Sequence, residues 1–331
     1  MSKKIFLSLV VLQLIIIVSI ISNIDDPYTS LNFSEDVSSE TDIDLTKEPQ
    51  RPGDFNTDVE GPIPYLMKPN ISVYTDGYQY RVPYFKVETN KEGLRGREFE
   101  REKSEDTIRI LAIGDSHTFG WGVNKSDRYT TKTETHLNNS LDKNVEIINA
   151  GVSGWGIREF KNFYLERGIS YKPDFVLVNI AFHDVLSIEK QRELRAEAEQ
   201  RVLEENEDAN EREIVEKRNS LKEDYMENID ADNTEFEDNL NKIKQAAEKN
   251  NSSLLLFEER TGPEWRHKLY GQWAENNSVP LIEHPEKLSE LSNNEKTLEG
   301  PDNHFNKESH KILANTLTEN LENILRSDLD K

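Results

Sequence analysis

The chain has 331 residues, no cysteine and a formal net charge of -22. Disulfides, thiolate metal sites and cysteine nucleophiles are therefore excluded, and the negative charge argues against nucleic acid or an anionic membrane surface as a partner. Hydrophobic residues make up 35% and charged residues 31%, so the length suffices for one large domain or two small ones, with part of the chain left as solvated helix or linker.

In chain order, the first element is a candidate membrane segment. Lys3 and Lys4 precede a run from Ile5 to Ser22 that carries no charge, and Asp25 and Asp26 follow it. Such a run spans roughly 27 Å as a helix, close to the thickness of a hydrocarbon core. The basic flank stays in the cytoplasm and places the rest of the chain outside. Residues 1–24 read as an uncleaved single-pass anchor, with a cleaved signal and a secreted product as the alternative. Several Asn-x-Ser sequons, among them Asn32 and Asn124, agree with an external location.

Residues 25–70 are rich in Asp, Glu, Ser, Thr and Pro and read as a flexible acidic tether. Residues 71–107 form an extended lead-in with alternating Val, Tyr and Phe. The domain expected over 108–326 alternates strand and helix signals. Strands are expected at Ile108–Ile113, Val145–Ile148, Phe175–Ala181, Ser252–Phe257 and Val279–Ile282, and helices at Ser126–Leu141, Ile157–Gly168 and Glu308–Leu325. This rhythm predicts an α/β fold with a parallel five-stranded sheet covered on both faces. The site is then expected at the carboxyl ends of the strands. Residues 187–248 break the rhythm with dense Glu, Lys and Arg. They read as a charged helical insertion, either solvated or serving as a lid.

Two distant segments carry complementary chemistry. Gly114-Asp-Ser-His117 sets Ser116 just past the first strand, and Pro301-Asp-Asn-His304 sets an acid two residues before a histidine. A serine needs a base to become a nucleophile, and the base needs an acid to hold its tautomer. Ser116, His304 and Asp302 are the candidate catalytic residues. The glycine-rich Asn149-Ala-Gly-Val-Ser-Gly154 follows the second strand, where its backbone N–H groups can approach a substrate closely. The histidines show no paired metal-ligand spacing, so no metal and no cofactor are expected.

Together these segments resemble the SGNH (GDSL-like) hydrolase superfamily, from about Ile108 to Leu325 without the charged insertion. The segment Thr89–Glu98 also resembles the lead-in of extracytoplasmic members. The resemblance implies a flavodoxin-like three-layer fold. It implies Ser116 as nucleophile and first oxyanion donor, Gly154 as second donor, and Asp302 and His304 completing the triad. The family expects Gly-x-Asn-Asp at the end of the third strand, whereas this chain has Ala181-Phe-His-Asp184. His183 thus falls on the oxyanion asparagine, and an imidazole N–H is able to take over that role. His117 and Asp184 are candidate pocket residues, and Asn306 and His310 fit structural positions. The implied activity is a serine esterase acting outside the cytoplasmic membrane on an acylated glycan or lipid, with O-acetyl the favoured group. The alternatives are an O-acetyltransferase on a surface polysaccharide, and a catalytically weak binding or scaffold protein on the same fold.

Overall fold

The computed structural model describes residues 55–75, 85–181, 184, 188–206, parts of 213–224, 234–259, 264–298 and 304–329. The segment 1–24, His183 and Asp302 lie outside the described residues. Among the described residues, no helix is long and apolar enough to cross a membrane.

Four short strands open the described chain. β1 (Asn56–Asp58) pairs with β2 (Tyr65–Met67), and β3 (Ser72–Thr75) pairs with β4 (Phe85–Glu88), both antiparallel. The main sheet follows as β5 (Thr107–Gly114), β6 (Asn144–Gly151), β7 (Phe175–Ile180), β8 (Ser253–Glu258) and β9 (Leu281–Ile282). All its pairings are parallel and its order is β6-β5-β7-β8-β9. Numbered within the sheet, that is 2-1-3-4-5, the flavodoxin-like order, which places a switch point beside its first strand.

The sheet is covered on both faces because its strands are apolar at both alternations. Leu111, Ile113, Val176, Val178, Leu254 and Leu256 face one layer. That layer holds α3 (Ile157–Glu166), α5 (Thr234–Lys249) and α6 (Glu264–Asn276). Ile110, Ala112, Leu177, Leu255 and Phe257 face α2 (Tyr129–Ser140) and α9 (Lys307–Leu329). On α9, Leu313, Leu317, Leu321 and Leu325 bury one stripe at i, i+4, i+8, i+12. Asn306 starts this helix: its Oδ1 accepts from the N–H groups of Glu308 and Ser309 at 3.1 and 3.0 Å.

Two expected boundaries change. The tether was expected to run to residue 70, yet Phe55, Ile63, Leu66 and Met67 are buried and β1–β2 is formed. These four side chains pack on the domain, so the structured body begins earlier. The charged insertion was expected to run to residue 248. Its first helix, α4 (Ile188–Glu205), is highly charged. But α5 buries Phe236, Leu240, Ile243 and Ala247 in the sheet-covering layer. It is the ordinary crossover between β7 and β8, with charge on its outer face.

Candidate active site

The sheet's first strand ends at Gly114 and the chain turns at once into α1 (Ser116–Phe119). A Cβ on Gly114 would lie 1.9 Å from Thr118 Oγ1, so only glycine fits this turn. Asp115 caps the turn, its Oδ1 accepting from the N–H of His117 at 2.8 Å. Gly151, paired beside Gly114 in the sheet, lets the β6 end lie against the α1 backbone. Its added Cβ would stand 2.2 Å from Phe119 N. Asn149 closes this contact by donating its Nδ2 to Thr118 O at 2.6 Å.

His304 comes from the loop before α9. That loop is pinned by an antiparallel bridge between Thr297 and Phe305, and by Leu298 N donating to His304 O at 2.8 Å. The pinning brings His304 Nε2 to 2.7 Å from Ser116 Oγ. For the hydroxyl to donate to Nε2, the neutral ring must carry its proton on Nδ1. Ser116 is 9% exposed and His304 is half-buried. The Trp121 ring lies 6.1 Å from the His304 ring.

The glycine loop is set by the same architecture. Val152 N donates to Gly114 O at 3.0 Å, tying the loop to the serine strand. Gly154 has φ +84°, which favours glycine, and a Cβ there would meet the Tyr65 hydroxyl at 2.9 Å. That hydroxyl donates to Ser153 O at 2.6 Å. Tyr65 therefore braces the candidate oxyanion loop from within the segment expected to be tether. No motif signals it, because its partner is a backbone carbonyl.

Asp184, expected in the pocket, is fully buried and turned onto the backbone. Its Oδ2 accepts from Ala181 N at 2.7 Å, and its carbonyl accepts from Ile157 N at 2.8 Å. It holds the strand end and the start of α3 together. His117, also a pocket candidate, is buried: its Nδ1 lies 3.2 Å from Asp115 Oδ2 and its ring centre 5.0 Å from that of His304.

One buried group had no sequence signal. Glu259, just past β8, is fully buried, and its Oε1 accepts from Thr118 Oγ1 at 2.7 Å and from the Tyr129 hydroxyl. Burial and the neighbouring Asp115 charge push its pKa up to about 8, while the hydroxyls of Tyr129 and Thr118 pull the other way.

His310, read as structural, stacks on Tyr129 with ring centres 5.7 Å apart, and its Nδ1 accepts from Tyr129 N at 3.3 Å. Burial, with His117, Arg95, Arg128 and His304 adding to it, holds its pKa well below 6.5. The folded protein thus refuses a proton that the unfolded chain accepts below about pH 6.5. Stability is full above that value and falls as the pH drops from it, by roughly 1 kcal/mol per pH unit. His310→Gln keeps an acceptor for Tyr129 N and removes the titration. Denaturant melts of both proteins between pH 7 and pH 5 are expected to show a shallower loss in the variant; equal slopes would dismiss His310 as the source.

Residues 112–312 match the GDSL-like Lipase/Acylhydrolase family. Among solved structures, the psychrotrophic esterase EstA from Pseudoalteromonas sp. is similar at 13% identity and TM-score 0.46, over 66% of this chain and 98% of that one. A catalytic mutant of Axe2, an acetylxylan esterase from Geobacillus stearothermophilus, is similar at 18% identity and TM-score 0.42, over 66% and 95%. A family 3 carbohydrate esterase from Clostridium thermocellum is similar at 18% identity and TM-score 0.43, over 67% and 98%. No protein of curated function matches the chain in sequence.

Proposed function

The chain belongs to the GDSL-like lipase/acylhydrolase family, and from that premise we propose that it is a serine esterase that removes short acyl groups, O-acetyl above all, from a cell-surface glycan or lipid. The observation that carries the reading is the 2.7 Å contact between Ser116 Oγ and His304 Nε2. In the proposed reaction, Ser116 Oγ attacks the ester carbonyl carbon while its proton passes to His304 Nε2. The oxyanion that forms faces the N–H groups of Ser116 and Gly154, with His183 as a third donor. Collapse of the intermediate breaks the ester C–O bond, and the proton on His304 goes to the leaving alcohol. A water deprotonated by His304 then attacks the acyl-serine and restores the enzyme. Asp302 orients the imidazole and stabilises it when charged.

Activity on p-nitrophenyl esters of graded chain length tests the acyl preference. The rate is expected to be highest for acetate and to fall as the chain grows; a maximum at eight or more carbons would sink the short-acyl reading. For His183, replacement by alanine is expected to lower kcat by roughly 100-fold with little change in KM, because an oxyanion donor acts mainly in the transition state. His183→Asn is expected to recover part of the loss. An unchanged kcat in the alanine variant would remove His183 from the mechanism.

For location, the uncharged run from Ile5 to Ser22 supports a single-pass anchor with the catalytic domain outside. Full-length protein expressed in cells is expected to stay in the membrane fraction through a high-salt wash, and a variant lacking residues 1–24 to be soluble. Release of the full-length protein by salt alone would contradict the anchor.

A further inference from the structure

Asp115, His117 and Glu259 bring ligand atoms within 4.8 Å of one another, and all three residues are buried. We propose that they form a binding site for one divalent transition cation of the zinc or manganese type, directly beside the nucleophilic serine. The sequence hides this site. Asp115 and His117 flank Ser116, but Glu259 arrives only when β8 is laid into the sheet, so no motif spacing shows the set.

Four observations carry the proposal. First, the spacing is compatible with one ion. Ligand atoms held about 2.1 Å from a common cation lie about 3–4 Å apart, so these groups converge with small side-chain adjustments. Second, Glu259 is fully buried and its Oε2 has no hydrogen-bond partner among the described residues. Its other oxygen is saturated by the Thr118 and Tyr129 hydroxyls. An acceptor left bare in the interior costs about 1–3 kcal/mol, and more when charged. A ligating carboxylate with one oxygen held by outer hydroxyls has the arrangement seen around protein-bound metals.

Third, Asp115 and Glu259 place two carboxyl groups close together in the interior beside a buried imidazole, and a divalent ion bound there would balance both as carboxylates. Fourth, the donor set selects the ion. One imidazole nitrogen with two carboxylate oxygens suits zinc or manganese, whereas magnesium and calcium prefer oxygen donors alone.

The bound cation would tie the end of β8 to the Gly114–Thr118 turn. It would also fix Asp115, whose Oδ2 lies 3.5 Å from Ser116 Oγ. The site is defined by ligand groups and stands apart from the esterase reading, since its occupancy is measured without substrate.

The test uses the purified full-length protein stripped with a chelator and dialysed. Calorimetric titration with Zn2+ and Mn2+ is expected to show one tight equivalent per chain and a Tm rise of several degrees. Glu259→Gln keeps the acceptor for Thr118 and Tyr129 at nearly the same volume, so it is expected to fold; it should lose that equivalent and the Tm response. His117→Gln should lose them too and serves if the first variant fails to fold. Binding that persists in both variants would mean weak capture by the acidic surface and would overturn the proposal. So would an equal response to Mg2+ or Ca2+, or no binding by the parent protein. Stoichiometric fluorophosphonate labelling of the stripped protein reports the Ser116–His304 pair separately, so either reading can fail alone.

Discussion

Ser116→Ala is expected to abolish stoichiometric labelling by a fluorophosphonate and to lower kcat/KM for p-nitrophenyl acetate by roughly 10,000-fold or more. The reason is geometric. Ser116 Oγ is the oxygen that His304 Nε2 meets at 2.7 Å, and alanine leaves the base with nothing to deprotonate. His304→Ala is expected to cost about as much, and the double variant hardly more than either, because the two residues act as one unit. Some rate above water should survive through the backbone donors of Ser116 and Gly154. The fold should not suffer, since removal of one hydroxyl leaves no apolar cavity. A Ser116→Ala enzyme that still labels and still turns over would place the chemistry on another residue.

The largest effect on stability is expected at Gly151. An alanine Cβ there falls 2.2 Å from Phe119 N and 2.6 Å from the Thr118 carbonyl carbon. Both are backbone atoms of α1, so no rotamer change relieves the overlap. Either β6 or α1 must move, and overpacking of this kind costs about 3 kcal/mol or more. For a domain of this size that amounts to a Tm drop of several degrees. Because α1 begins with Ser116, the displacement also shifts the hydroxyl from His304. Gly151→Ala is therefore expected to lose both stability and turnover, as read by thermal melts and esterase assay. A variant that melts with the parent would show that the approach of β6 to α1 is looser than described. Gly96→Ala is the control, since nothing lies within 4 Å of its added Cβ.

The parts of this molecule that could be read from the chain share one property: their signal is local. β5 to β9 are apolar runs because the sheet is covered on both faces, so each strand announces itself within its own few residues. The Gly114–His117 turn and the loop of His304 are likewise short strings whose chemistry lies in adjacent residues. What stayed hidden depends on partners distant in sequence. β1 and β2 are three residues each, too short for any periodicity, and Phe55, Ile63, Leu66 and Met67 sit among acids and prolines. Helix α5 carries a stripe at Phe236, Leu240, Ile243 and Ala247, but its Glu and Lys content made it look like part of a solvated insertion. Glu259 and Tyr65 had no pattern at all, because one answers to hydroxyls of two other elements and the other to a single carbonyl.

The guanidinium of Arg95 ties the segment ahead of β5 to the serine helix. Arg95 is 1% exposed and donates to Phe119 O at 2.8 Å, Val123 O at 2.7 Å, Gly120 O and Lys86 O. Three of those four carbonyls belong to the end of α1 and the loop that leaves it, and α1 is the helix that opens with Ser116. Phe85 packs edge-on against Trp121 of the same loop. Yet the family match begins at residue 112, after every one of these braces. A fragment of this chain starting at residue 112 would keep those carbonyls without their donor and Trp121 without the Phe85 wall, so the folded unit is longer than the residues by which the family is recognised.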